Sequence, residues 1–129
     1  MRTTKVNGEM SGDVSRSAGW GILRVSASAP NDRTLIVRLD GELDIYSAGD
    51  LHNQLRQLEC GRTEVVIDLS GLAFIDCAGL RELVEADARA RARGGRLTLI
   101  DGPPAVRRLF TLTGLKSTFE FRSFAGEPG

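Results

Sequence analysis

Three aspartates, Asp44, Asp68 and Asp76, stand where apolar runs give way to polar ones. A carboxylate at such a junction can shape a turn, cap a helix or present charge at a sheet edge. His52, Cys60 and Cys77 complete the set of side chains able to ligate a metal or act as nucleophiles. His52 has no cysteine or acid at ligand spacing, so it reads as a surface or boundary residue and no metal site is expected. Two cysteines are too few for a disulfide scaffold or a structural zinc site. No serine sits in a G-x-S-x-G elbow, and a Ser-His-Asp triad would leave His52 to do everything. There is no phosphate-binding G-x-x-x-x-G-K-[ST] loop. Gly19-Trp20-Gly21 begins like a dinucleotide fingerprint but precedes a strand and lacks the third glycine. The residues therefore predict a protein that is not an enzyme, with no cofactor and no small-molecule substrate.

Composition narrows the partners. The chain has 129 residues, with 17 Lys+Arg against 17 Asp+Glu, so its formal net charge is zero. Nucleic acid or an anionic membrane would favour a basic excess, and neither is expected. Aromatic residues are only 5%, which removes stacking platforms for single-stranded bases and predicts an aliphatic core. No apolar run approaches the roughly 20 residues of a membrane span, and the first twenty residues lack a signal-peptide core. The expected location is the cytoplasm. Arg89, Arg91, Arg93 and Arg96, with Arg107 and Arg108, could form a basic patch. Glu82, Glu85 and Asp87 dilute it, so a solvated helix face is the expectation.

The elements that must position these residues follow from patterning. Residues 1–20 are polar, rich in Gly and Ser, and aperiodic, so they read as a flexible tail, as do 124–129; one domain spans 21–123. Residues 21–27 alternate, 34–39 are rich in β-branched residues, and Pro30-Asn31-Asp32-Arg33 between them is turn chemistry, which together predict a hairpin. Ser47 followed by Asp50 is an N-cap signature, and Ala48, Leu51, Leu55 and Leu58 keep a helical period to about Glu59. Residues 64–69 are apolar without alternation, as in a strand covered on both faces, and Ser70-Gly71 should break it. Asp76 is placed to cap a second helix that Gly94-Gly95 stops. A strand at 96–100, a helix from Pro103-Pro104 to Gly114 and a short strand at 118–121 complete the order β-β-α-β-α-β-α-β. That order predicts an α/β domain with a mixed, largely parallel sheet. Asp44 and Asp76 both follow a strand and precede a helix. Such positions share the carboxyl edge of a parallel sheet, where partners bind, although spacing alone favours turn and cap chemistry for each.

Four segments carry a resemblance. They are Leu39-Asp40-Gly41-Glu42-Leu43-Asp44 followed by Ser47-Ala48; residues 66–72; Phe74-Ile75-Asp76-Cys77-Ala78-Gly79-Leu80; and residues 104–110 with Thr113-Gly114-Leu115. In this order and spacing, residues 34–121 resemble the STAS family, most closely its small stand-alone anti-sigma factor antagonists. The resemblance implies a four- or five-stranded mixed sheet flanked by helices. It also implies partner switching. The unphosphorylated antagonist binds an anti-sigma factor, usually an ATP-dependent serine kinase, and so releases a sigma factor. Phosphorylation of a Ser or Thr in the loop after the second parallel strand ends the complex. The partner-binding residues carried over are Asp44, Ser47, Asp76, Cys77, Ala78, Gly79 and Leu80. The usual loop reads Asp, Ser, Ser or Thr, Gly, Leu, whereas this chain has Cys77 and Ala78, so the acceptor position has no hydroxyl. Three readings follow: an antagonist controlled by its abundance, one switched by oxidation of Cys77, or a docking module of a transporter or sensory complex. Ligand binding, as in other STAS proteins, finds no phosphate-cradling loop here.

Overall fold

Each strand–helix–strand step of this chain adds the next strand on the same side of the last one, and that repetition decides the architecture. The computed structural model describes residues 9–16, by their backbone, and residues 22–122. The elements are β1 (Glu9–Arg16), β2 (Ile22–Ser28), β3 (Thr34–Leu43), α1 (Ala48–Leu58), β4 (Glu64–Ile75), α2 (Cys77–Ala92), β5 (Arg96–Ile100), α3 (Pro104–Thr113) and β6 (Glu120–Arg122). The strands form one sheet in sequence order. The first three pair antiparallel, and β3, β4, β5 and β6 run parallel. Right-handed crossovers that all advance in one direction leave their helices on one face.

The core confirms that arrangement. Leu23, Val25, Leu35, Val37, Leu39, Val65, Ile67, Leu69, Leu97 and Leu99 point to a single apolar cluster with Leu51 and Leu55 of α1, Leu80 and Leu83 of α2, and Val106 and Phe110 of α3. Phe110 meets Phe119 and Phe121 edge-on, with ring centroids 5.5 and 5.4 Å away. Strand residues of the other parity, including Arg24, Ser26 and Arg38, face away and are exposed. The unbroken apolar run of β4 predicted a strand covered on both faces, and residues 65–69 are all buried, although the described helices pack on one face. Val66 is buried on the other face, in register with Ile36 and Thr98. Beyond it, Arg38 spans Asp40 at 3.0 Å and Asp68 at 3.4 Å.

The β-β-α-β-α-β-α-β order is present from Ile22 to Arg122, with one strand in front of it. β1 occupies part of the segment expected to be a flexible tail. Its residues show no apolar alternation because backbone pairing with the edge of β2 defines the strand. The rest of that tail, and the C-terminal one, lie outside the described residues. Ser70-Gly71 does not end β4. Register shifts opposite Arg38/Asp40 and Gly41/Glu42 absorb extra residues on β4 and carry the strand to Ile75. Gly41 sits at φ 107°, and a Cβ there would lie 2.0 Å from the Ile22 carbonyl oxygen, so only glycine fits between β2 and β3.

Leu83→Ala is expected to lower the unfolding free energy by about 2–5 kcal/mol, because Leu83 is fully buried between α2 and the sheet. Arg38→Ala, on the exposed face, should change it by no more than about 1 kcal/mol. Urea unfolding of both variants checks the contrast.

Candidate functional site

β3 and β4 end side by side, so the loops that follow them meet at one edge of the sheet. Asp76 links the two. Its Oδ1 accepts hydrogen bonds from the Ala78 and Gly79 backbone N–H groups at 3.0 and 3.1 Å, which caps α2. Its Oδ2 accepts from the Ile45 N–H at 3.1 Å, which belongs to the loop after β3. The Asp76 N–H in turn donates to the Leu43 carbonyl at 3.2 Å.

Asp44 organises the other loop. Its Oδ1 accepts from the Tyr46 and Ser47 N–H groups at 3.0 and 3.1 Å. Ser47 occupies the N-cap position of α1, but its hydroxyl caps nothing in the helix, contrary to the sequence signature. The hydroxyl is turned back into the loop. It accepts from the Asp44 N–H at 3.0 Å and lies 3.0 Å from the Glu42 carbonyl and 3.2 Å from Asp44 Oδ1. Loop closure wins over helix capping because Ser47 is completely buried and its oxygen takes the Asp44 N–H in place of a helix N–H, while its proton has acceptors in the same loop.

With both loops pinned, the residues between the pins are turned outward. Ile45 is 66% exposed, Tyr46 53%, and Phe74, at the end of β4, 47%. With Glu42, Asp44 and Asp76 they line a cleft of about 520 Å³. A second cleft, of about 580 Å³, opens on the other side of Ile45 between α1 and α2; Ala48, His52, Cys77, Ala78, Arg81, Glu82 and Glu85 are among its lining residues.

The seven candidate residues are thus brought to one edge but divide by exposure. Cys77 is exposed, and Asp76 and Ala78 are half-buried. Asp44, Ser47, Gly79 and Leu80 are buried and offer little surface to a partner. Leu80 belongs to the core, and a Cβ on Gly79 would lie 2.5 Å from Leu43 Cγ, so these two fix how closely α2 meets β3. Asp68 lies away from this edge, within β4, where it accepts from the Ser70 N–H. Ile45, Tyr46 and Phe74 were not among the candidates. Their signal was available: a Leu-Asp-Ile-Tyr-Ser turn places two large apolar residues where polar turn residues are usual.

Cys60 and Cys77 are free and exposed, at opposite ends of the α1–α2 pair. The two helices run parallel, joined from the Ile45–Asp76 contact through His52 and Glu82 to Glu59 and Arg89. Arg89 Nε donates to Glu59 Oε1 at 2.7 Å and Arg89 Nη2 to Glu82 Oε2 at 3.0 Å, while Arg93 Nη1 donates to Glu59 Oε1 at 3.0 Å. Burial lowers the Arg89 pKa, but the hydrogen bonds to Glu59 and Glu82 and their negative charges outweigh it, so the pKa rises above its ordinary value. Arg89 and Arg93 therefore depart from the solvated helix face that the sequence suggested. Only the fold reveals buried acids opposite them, Glu59 just past the end of α1 and Glu82 on α2.

Residues 26–120 match the family described as Mlab, STAS domain. The chain belongs to the STAS domain family. The chain is 31% identical over 90 residues to the anti-sigma-B factor antagonist of Bacillus subtilis, covering 70% of this chain and 83% of that one. It is 33% identical over 87 residues to the anti-sigma F factor antagonist of Paenibacillus polymyxa, covering 63% and 71%. The solved structure of the anti-sigma factor antagonist SpoIIAA in its unphosphorylated form shares the fold, with a TM-score of 0.68 at 22% identity over 78% of this chain and 89% of that one. No described helix is long and apolar enough to cross a membrane.

Replacing Asp76 tests the hinge of this STAS edge. Asp76→Ala removes the cap and the tie to Ile45 and is expected to destabilise the fold by about 1–2 kcal/mol. Asp76→Asn keeps an oxygen for the α2 N–H groups and should recover much of that loss. Thermal unfolding of the two variants distinguishes them.

Proposed function

We propose that this chain is an anti-sigma factor antagonist that binds an anti-sigma factor of the ATP-dependent serine kinase type through the edge built around Asp76, and so releases a sigma factor. The observation that carries the reading is the exposed apolar group Ile45, Tyr46 and Phe74, set beside the Asp76–Ala78 loop and rimmed by acids. Large apolar side chains held outward by buried hydrogen bonds are preorganised for a protein partner, because little side-chain or loop entropy remains to be lost on binding. The names of the STAS relatives supply the kind of partner. The acids Glu42, Asp44 and Asp76 favour a partner surface that is basic opposite this cleft.

The switch residue is where this chain departs from its family. A phosphoryl group at the second residue of α2 would place a charge of roughly −1.5 to −2 beside Asp76 and against the apolar patch, opposing the complex. Ala78 occupies that position and has no oxygen to phosphorylate. On this reading the antagonist is not switched off at this loop, and its abundance sets the level of released sigma factor.

The test is capture from cytosol of the source bacterium on immobilised protein, with mass-spectrometric identification of what is retained. An anti-sigma kinase is expected in the eluate. Recovery of transporter or sensory-complex subunits in its place would overturn the reading. Tyr46→Ala and Phe74→Ala should each weaken the complex by about 2 kcal/mol, or roughly thirtyfold, as central aromatic contacts do. Both side chains are exposed, so neither change should lower the unfolding midpoint. Ala78→Ser, incubated with the captured kinase and ATP, should gain one phosphate that the native chain does not take.

A further inference from the structure

The groove between α1 and α2 holds a constellation that the partner-binding edge does not use. His52 comes from α1, and Glu82 and Glu85 lie one turn apart on α2. One ligand atom from each, an imidazole nitrogen and two carboxylate oxygens, fall within 4.8 Å of one another. Glu82 is 4% exposed, an unusual place for a carboxylate. Its Oε2 accepts from Arg89 at 3.0 Å, which offsets the buried charge, while its Oε1 is turned to His52 Nδ1 at 2.8 Å. Glu85 is exposed and makes no hydrogen bond or ion pair among the described residues. All three side chains line the same cleft of about 580 Å³, which has room for water to complete a coordination shell.

From this we infer that His52, Glu82 and Glu85 form a binding site for one divalent first-row transition-metal ion of the zinc type. Magnesium and calcium favour all-oxygen sites, whereas an imidazole with two carboxylates suits zinc, cobalt or manganese. Three protein ligands with water in the remaining positions is a common arrangement for such an ion. Metal–ligand bonds of roughly 2.0–2.2 Å require the His52–Glu82 separation of 2.8 Å to open slightly and ligand atoms now up to 4.8 Å apart to draw together, movements that the half-exposed His52 ring and the exposed Glu85 side chain can make. Arg89 keeps its hold on the other oxygen of Glu82, so the buried carboxylate is neutralised with or without the ion. Cys77 lines the cleft, but its sulfur is not part of the cluster, so the site is not a thiolate site. Arg81 is the one cation in the cleft lining; it is exposed and holds no ion pair among the described residues that would keep it over the site. The site stands on its own geometry whether or not the neighbouring edge binds an anti-sigma factor.

The experiment uses the full chain carrying Cys60→Ser and Cys77→Ser, which removes thiol binding. It is titrated with zinc chloride by calorimetry and with cobalt chloride by visible absorption. The expected result is one ion per chain, visible cobalt bands without a thiolate charge-transfer band, and no competition from excess magnesium. His52→Ala and Glu85→Gln should each weaken binding at least tenfold; the urea midpoint of the metal-free protein should stay unchanged for Glu85→Gln, whose side chain is exposed, and fall for His52→Ala, which leaves the buried Glu82 Oε1 without its partner. Glu82→Gln would also disturb Arg89 and is therefore not the deciding variant. Absence of zinc binding, or binding that survives both His52→Ala and Glu85→Gln, would overturn the site.

Discussion

A single carboxylate, Asp76, ties together the two loops at one edge of this STAS domain. One of its oxygens closes the start of α2 and the other reaches the first residue of the loop after β3. Neighbouring parallel strands bring their carboxyl ends together, but the sheet leaves the loops beyond those ends free to diverge. The bridge from Asp76 to Ile45 removes that freedom. Asp44 and Ser47 then close the β3 loop from inside, and the side chains left over have nowhere to go but outward. The exposed group of Ile45, Tyr46 and Phe74 is thus a consequence of buried hydrogen bonds.

The parallel run of α1 beside α2 is the second constraint. Leu51, Leu55, Leu83 and Ala86 give these helices their apolar contact with the sheet. Where they face each other toward their C-terminal ends, the interface is ionic, with Glu59 and Glu82 satisfied by Arg89 and Arg93. Buried ion pairs of this kind add little net stability, but they tolerate no loss of a partner, so they fix the register of one helix on the other. That register is what sets His52 opposite Glu82 and opens the groove beside Cys77 and Ala78.

Much of the fold was legible because its signals are local. The period of Ala48, Leu51, Leu55 and Leu58, the cap at Asp76, the left-handed glycines at 94 and 114 and the proline start of α3 each depend on a few neighbouring residues. Less legible was whatever depends on pairing at a distance. β1 exists through its hydrogen bonds to β2, and the continuation of β4 through Ser70-Gly71 depends on bulges defined only against β3. Ser47 carried a capping signature that its burial redirected, and Arg89 and Arg93 read as surface residues until Glu59 and Glu82 were placed beside them.

By itself, the sequence determined the order of elements from Ile22 to Arg122, the membership of the STAS family, the meeting of Asp44 and Asp76 at one sheet edge and the absence of a hydroxyl at Ala78. These are matters of residue type and short-range spacing. The tertiary structure alone decided which candidates reach the surface: Cys77 does, while Ser47, Gly79 and Leu80 are consumed in packing. It also decided that His52, thirty positions from Glu82 in the chain, should share a groove with two acids. The reason is physical: exposure and long-range electrostatics depend on the packing of whole elements, which no local pattern specifies.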